Sequence, residues 1–453
     1  MTPDAAGAPA KPSERPATMR GHTAATFATN FGAAVLSLCN VLVVAWSLGA
    51  SGRGEVAFLI AVSTLTTWIS SIGIQEANAN IGGRRGETLP RLATNSLLWA
   101  LALGLAGALV VIGLVAVMPS VGGPVGPWLL ALTLLFVPCG LLKLYLQFLL
   151  QSHYHFAITN IAWIAGPATT AIGNTLLALL GVLTVDVAIG LWVAGQTLSA
   201  LIMCAYIARR IGFARPDPAL ARESAAFGLK THVGHLAEVG NYRADQWFVG
   251  AMAGSRELGR YSIAVAWAEL LFYLPGVIAL LQRPDLVRAE RAHASRLAAQ
   301  SVRRGVLLSI AGAAVLLVAA PFLCVQVFGE EFRGAIDDLR VLALGGVAIA
   351  AIVLLGNALI AQRRVLPVAL AEAIALAVTL TLNILLIPVL GGLGAAIATT
   401  SAYAVEAVLL GVVFVRVLGG RPGDLVPRVA DLRWYSRQAS SLIAILPRRR
   451  TVP

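Results

Sequence analysis

His235, Glu238, Tyr242 and Asp245 follow one another at steps of 3, 4 and 3. That spacing puts four ionisable or phenolic groups on one face of an α-helix, with His232 and Arg243 flanking it. The run that carries them is otherwise apolar. A charged side chain turned toward lipid there would cost on the order of 2.5–3.5 kcal/mol, so these groups must face water, one another or a ligand. Arg243 lies about ten residues before a Gly-rich external turn over 253–260, and Glu269 lies about ten residues after it. At ~1.5 Å per residue both sit about 15 Å deep, near the middle of a hydrocarbon core of about 30 Å. An Arg243–Glu269 pair is therefore expected, with Asp245 as the rival partner. Such a pair can fix packing. Equally, an arginine at that depth stays charged and offers phosphate a planar, two-pronged donor.

Glu372 and Glu406 form a second candidate cluster at comparable depths in the last two apolar runs. A carboxylate there could titrate or hold Na⁺, or reach back to the interface. In the first run, Thr26, Asn30, Ser37 and Asn40 form a small polar stripe at helical spacing. It suits either a cavity wall or helix packing. The sequence has no P-loop, no Gly-x-Ser-x-Gly elbow and no metal-ligand spacing. ATP hydrolysis and zinc chemistry by this chain are excluded on that basis, no cofactor is expected, and the chain reads as a non-enzyme.

These residues must be positioned by membrane helices. Hydrophobic residues are 58% of 453, charged residues only 12%, and mean hydropathy is +0.80. A soluble domain carries about twice that charge. Apolar runs of spanning length occur near 24–49, 55–75, 93–118, 127–150, 157–181, 186–208, 227–253, 259–282, 305–328, 336–361, 366–389 and 392–416. The fold expected is an all-α membrane protein of about twelve helices. Residues 1–22 are polar and Pro-rich, read as a disordered cytoplasmic segment and not as a cleavable signal. The four cysteines all fall inside apolar runs, as buried hydrophobes.

The net charge of +12 is placed topologically, not for nucleic acid. Of 34 Lys and Arg, 26 fall in alternate loops and termini on one side. Only Arg53, Arg256, Arg260, Arg333 and Arg340 fall on the other. Positive loops stay cytoplasmic, so both termini are expected inside. The division read from this is an N-lobe over 23–208, a cytoplasmic linker over 209–226, a C-lobe over 227–418 and a basic amphipathic tail over 419–453. The tail suits an anionic lipid surface. A short cytoplasmic helix is expected over 283–304.

The halves repeat. Gly49 and Gly54 bracket one external turn, and Gly254 and Gly259 bracket another, 205 residues later. Six helices separate the copies, so the halves share an orientation and a pseudo-two-fold along the membrane normal follows.

Three stretches resemble the polysaccharide-exporter branch of the multidrug/oligosaccharidyl-lipid/polysaccharide flippase superfamily. They are LGASGRGEVAFLIAV at 48–62 with SIGIQEANA at 71–79, NYRADQWFVGAMAGSRELGRYSIAVAWAELLFYLPGVI at 241–278, and LNILLIPVLGGLGAAIATTSAY at 382–403. FGEEFRGAIDDLRVLALG at 328–345 fits the same family. The resemblance implies two six-helix lobes around a central cavity, lined by the first, second, seventh and eighth helices. It implies a bacterial inner-membrane flippase that carries polyprenyl-pyrophosphate-linked oligosaccharides outward by alternating access for cell-surface polysaccharide biosynthesis. Arg243-Ala244-Asp245 matches the family's Arg-x-Asp element. Lipid II flippases of the family usually carry two further helices and several cavity arginines, which points this chain to an export-polysaccharide unit. Partners implied are the lipid-linked substrate, membrane lipids and other polysaccharide-assembly proteins, and no nucleic acid. A multidrug/cation antiporter of the same fold is the first rival. A membrane glycosyltransferase or ligase is the second; it would need a large external loop, and none here exceeds about ten residues.

Overall fold

A computed structural model describes residues 16–433 and residue 435. The described chain is helical almost throughout, and its apolar runs become fourteen α-helices. The first lobe holds α1 (Pro16–Ser70), α2 (Ile74–Arg84), α3 (Leu89–Val117), α4 (Pro127–Leu134), α5 (Val137–Ser152), α6 (Phe156–Leu179) and α7 (Val185–Arg210). The second holds α8 (Pro218–Ala253), α9 (Ser255–Ala268), α10 (Leu270–Arg288), α11 (Arg291–Pro321), α12 (Ala335–Ala361), α13 (Val365–Leu390) and α14 (Gly392–Val413).

Fourteen helices make twelve crossings because some crossings are broken. α1 is two spans joined at Gly49, whose φ of 66° belongs to the left-handed region that favours glycine. The second span then pauses at residues 71–73 and continues as α2. The fourth is α4 plus α5, and the eighth is α9 plus α10. Among the described residues, nine stretches are long and apolar enough to cross a membrane on those grounds alone. α6 and α8 are not among them: α6 carries Asn160 and Asn174, and α8 carries Glu238, Arg243 and Asp245.

Three boundaries differ from the sequence expectation. The backbone is already helical at Pro16, inside the segment expected to be without structure; residues 1–15 lie outside the described range. α8 starts at Pro218 rather than near 227. Asp217 caps it, its side chain accepting from Leu220 N at 3.0 Å, with proline at the first helical position. The helix expected over 283–304 is not separate. α10 runs on to Arg288, and α11 begins at Arg291 and continues into the ninth span.

The repeat is visible in the packing. Gly254 takes a φ of 87°, matching Gly49 at 66°. A Cβ on Gly54 would fall 1.7 Å from the Ser255 carbonyl oxygen, and one on Gly259 would fall 1.8 Å from that of Ala50. Residues 54 and 259, and 50 and 255, are each separated by the repeat offset. The contact is thus self-complementary, as a two-fold requires. Ser51 Oγ and Ser255 Oγ lie 2.8 Å apart beside it. At the basic end the lobes meet again: a Cβ on Gly73 would fall 2.3 Å from the Gly228 carbonyl oxygen, and one on Gly228 would fall 2.5 Å from that of Ile72.

The tail is docked through its described part. Arg303 on α11 pairs with Asp431 at 3.0 Å, both largely buried, and donates to the Asp424 carbonyl at 2.7 Å. Tyr435 donates to the Arg304 carbonyl at 3.1 Å. Val426, Val429 and Leu432 remain exposed. Trp434 and residues 436–453 lie outside the described range.

Candidate functional site

α8 crosses the second lobe as a helix whose polar groups turn two ways. Arg243 faces the eighth span, where its Nη1 lies 2.9 Å from Glu269 Oε1. Both side chains are about one-third exposed, at 37% and 34%, so the pair borders open space instead of being sealed in the core. Glu269 occupies the break between α9 and α10. Its amide closes the last turn of α9 onto Val265, and its carbonyl accepts from Phe272 N at 3.0 Å, a tighter three-residue turn. The carboxylate that holds Arg243 is thus carried on the joint of a broken helix.

Asp245, the rival partner, points elsewhere. It is 3% exposed. It accepts from Tyr261 Oη at 2.5 Å, from Gln246 N at 2.7 Å and from Thr399 Oγ1 at 3.5 Å. Those bonds tie α8 to α9 and α14 inside the lobe and take Asp245 away from Arg243's carboxylate partner. Tyr242 sits among aromatic rings, 5.9 Å from Tyr403 and 6.1 Å from Phe272 between centroids.

The same helix presents Glu238 to a cavity of about 350 Å³ within the second lobe. Glu238, Asn241, Arg283, Asn357, Glu372 and Glu406 are among its lining. Three carboxylates from α8, α13 and α14 therefore share one space. Spacing grouped Glu238 with the Arg243 stripe and Glu372 with Glu406; the fold joins all three. Glu406 is 4% exposed. Asn241 fixes α8 against α13: it donates to the Glu372 carbonyl at 3.1 Å and accepts from Thr379 Oγ1 at 3.0 Å. The sequence reading missed Asn241, although it lies between Glu238 and Tyr242 on α8. The side chain of His235 is outside the described residues. His232, at the basic end, bonds through Nε2 to the Ile69 carbonyl at 3.0 Å, across the lobes.

The polar stripe of the first span divides. Asn174 on α6 donates to Asn40 Oδ1 at 2.7 Å, and Asn160 donates to Thr26 Oγ1 at 3.2 Å. Asn40 and Thr26 therefore knit α1 to α6, and Asn40 stays half-buried. Asn30 and Ser37, seven residues apart, are exposed.

Outside the spans, Asp217 ties the start of α8 to α3, taking Arg91 at 3.0 Å. The Leu220 backbone N–H, with Arg91 beside it, holds the Asp217 carboxyl below the usual carboxylate range.

No protein-family model and no curated protein matches the chain. Solved structures do. A lipid II flippase, MurJ, in an inward-closed conformation aligns over 94% of this chain and 94% of its own, at 14% identity and a TM-score of 0.73. The MATE multidrug transporter DinF-BH, solved as a complex, aligns over 89% of this chain and 96% of its own, at 14% identity and 0.62. An inward-facing multidrug resistance MATE family transporter of the MOP superfamily aligns over 91% and 96%, at 15% identity and 0.58. At these identities the likeness is one of fold: twelve membrane helices in two six-helix lobes.

Proposed function

We propose that this protein is a flippase, moving a polyprenyl-pyrophosphate-linked oligosaccharide from the cytoplasmic to the outer leaflet of a bacterial inner membrane by alternating access, for cell-surface polysaccharide assembly. The basic side is cytoplasmic in this reading, with both termini on it. The observation that carries the proposal is the Arg243–Glu269 pair, 2.9 Å long and one-third exposed, on the seventh and eighth spans. A pyrophosphate entering that space competes with Glu269 for the guanidinium. It offers more oxygens and more charge, and a bidentate hold suits it. Return of Glu269 to Arg243 then helps to release the head group on the far side. The site binds phosphate without trapping it.

The lobes rock about the midplane, making and breaking the Gly54–Ser255 and Gly259–Ala50 contact at one end and the Gly73–Gly228 contact at the other. The prenyl chain stays in lipid at the gap between lobes. Glu238, Glu372 and Glu406, gathered in one cavity, are the proposed seat of a coupling cation or proton. No bond is made or broken in this cycle, so the protein acts as a transporter. Membrane lipids and other polysaccharide-assembly proteins are its proposed partners.

Replacing Arg243 with Ala is expected to abolish export while membrane insertion, followed by immunoblot of the membrane fraction, is unchanged. Undiminished export in that variant refutes the role.

One observation favours a second head group. The lipid II flippase is matched over 94% of its own length. Chain length therefore does not separate the two, and lipid II stands beside an export-polysaccharide unit as the substrate. A cation antiporter draws support from the three-carboxylate cavity, but Arg283 in the lining of that cavity opposes a cationic drug there.

A further inference from the structure

Lys143 lies on α5, and no step proposed above uses it. It is nine residues from Ser152 at the basic end of the fourth span, which at ~1.5 Å per residue places it about 13 Å deep, near the midplane. Its Nζ donates to Gln196 Oε1 on α7 at 2.7 Å and stands 4.9 Å from the centre of the Trp163 ring on α6. Three helices of the first lobe thus converge on one ammonium. Among the described residues no carboxylate pairs with it, and Gln196 uses only one of its three N–H donors.

A bare ammonium does not face hydrocarbon at this depth without large cost. Gln196 and Trp163 answer part of its charge, by a hydrogen bond and a cation–π contact. The remaining donors call for an anion that arrives from outside the lobe. Lys143 is only partly buried and Trp163 is 38% exposed. One to two turns along, Phe136 on the loop before α5 meets Trp192 of α7 edge-on at 5.9 Å. The patch therefore combines a cation, an amide and the exposed Trp163 ring, backed by a packed aromatic pair in which Phe136 is buried. That combination suits a sugar ring bearing a carboxylate: Trp163 takes its apolar face, Gln196 a hydroxyl, and Lys143 the charge. Lipid headgroups sit at the two membrane surfaces, about 13 Å away by the same rise per residue, so they are not the anion's source.

We propose that Lys143, Gln196 and Trp163 form a second substrate seat, in the first lobe, that recognises an acidic sugar of the transported glycan. The inference rests on the flippase reading and deepens it: Arg243 takes the pyrophosphate common to all such substrates, and Lys143 selects among the glycans.

The experiment is equilibrium binding by calorimetry in detergent micelles. It uses two farnesyl-pyrophosphate-linked oligosaccharides that differ only in one residue, glucuronate or glucose. The native protein is expected to prefer the glucuronate ligand by on the order of 10- to 100-fold, the range of one charge-assisted hydrogen bond. Lys143→Met keeps the stem and is expected to erase the preference by weakening only the acidic ligand. Lys143→Arg is expected to restore most of it. Equal affinity of the native protein for the two ligands, or none for either, overturns the seat, as does a preference that survives Lys143→Met. A fall in affinity for both ligands together in that variant also overturns it, because a structural role acts on both. The flippase reading fails separately, by absence of trans-leaflet movement of the glucose-bearing ligand in proteoliposomes.

Discussion

The two lobes share a frame and differ in chemistry. Gly49 and Gly254 make the same left-handed turn, and Gly54 and Gly259 make the same close approach, each to the other lobe's backbone. Yet the second lobe gathers Glu238, Arg243, Asp245, Glu269, Glu372 and Glu406 within its spans, whereas the first places Lys143 there and joins α1 to α6 through the neutral amides of Asn40 and Asn174. Duplication supplies a two-fold contact between the lobes, which needs only backbone approaches and small residues. Charge is gathered apart from that contact, in a cavity where Glu238, Glu372 and Glu406 meet Arg283 and in the Arg243–Glu269 pair beside it. Keeping it in one lobe leaves the other free to present a single cation.

The largest expected effect comes from uncoupling the central pair. Glu269→Ala leaves Arg243 unanswered at mid-depth, so transport should fall more than tenfold, measured as flipping of a labelled lipid-linked glycan. Adding Arg243→Ala should recover thermal stability in detergent without recovering transport. If the double variant flips normally, the pair is only a packing device and the contrast between lobes loses its functional meaning.

The shared frame can be broken next. Gly54→Ala and Gly259→Ala each drive a methyl carbon into a carbonyl oxygen of the other lobe, and overpacking of this kind costs about 1–3 kcal/mol. The two variants should lower the melting temperature by similar amounts. A large inequality between them would contradict the two-fold.

Glu406→Gln removes one of the three carboxylates from the cavity without changing its size. Transport should fall severalfold and lose its dependence on an imposed ion gradient. Unchanged gradient dependence would move the coupling step elsewhere.

Smaller still is the amide pair of the first lobe. Asn174→Ala removes an intramembrane hydrogen bond worth about 0.6 kcal/mol on average. Melting should drop by a few degrees at most, with transport within about twofold. A collapse of transport would return the first-span stripe to the cavity wall.

How much of this could be read in advance varied with the range of the interaction. Hydropathy located the spans, because burial in lipid leaves its mark residue by residue, and the glycine spacing carried the repeat. Arg243 and Glu269 were legible as neighbours, since both count their depth from one turn over 253–260. The breaks were not legible. Nothing in the apolar pattern IAVAWAEL at 263–270 marks Glu269 as a joint, because a three-residue turn differs from a helix by one hydrogen bond. α8 begins at Pro218 for a local reason, the Asp217 cap, which a hydropathy reading passes over. The union of Glu238 with Glu372 and Glu406 depends on how α8 packs against α13 and α14, which follow it by more than a hundred residues in sequence. Likewise, the bonds from Asn40 to Asn174 and from Lys143 to Gln196 join helices whose facing surfaces spacing alone does not assign.

The central claim is that the compartment around Arg243 serves an anionic, lipid-linked head group. It is tested most directly in proteoliposomes holding the native protein, loaded in one experiment with a fluorescent prenyl-pyrophosphate oligosaccharide and in another with a cationic dye. The account predicts trans-leaflet movement of the oligosaccharide, lost in Arg243→Ala, and no movement of the dye. Dye transport with the oligosaccharide left in its original leaflet would contradict it.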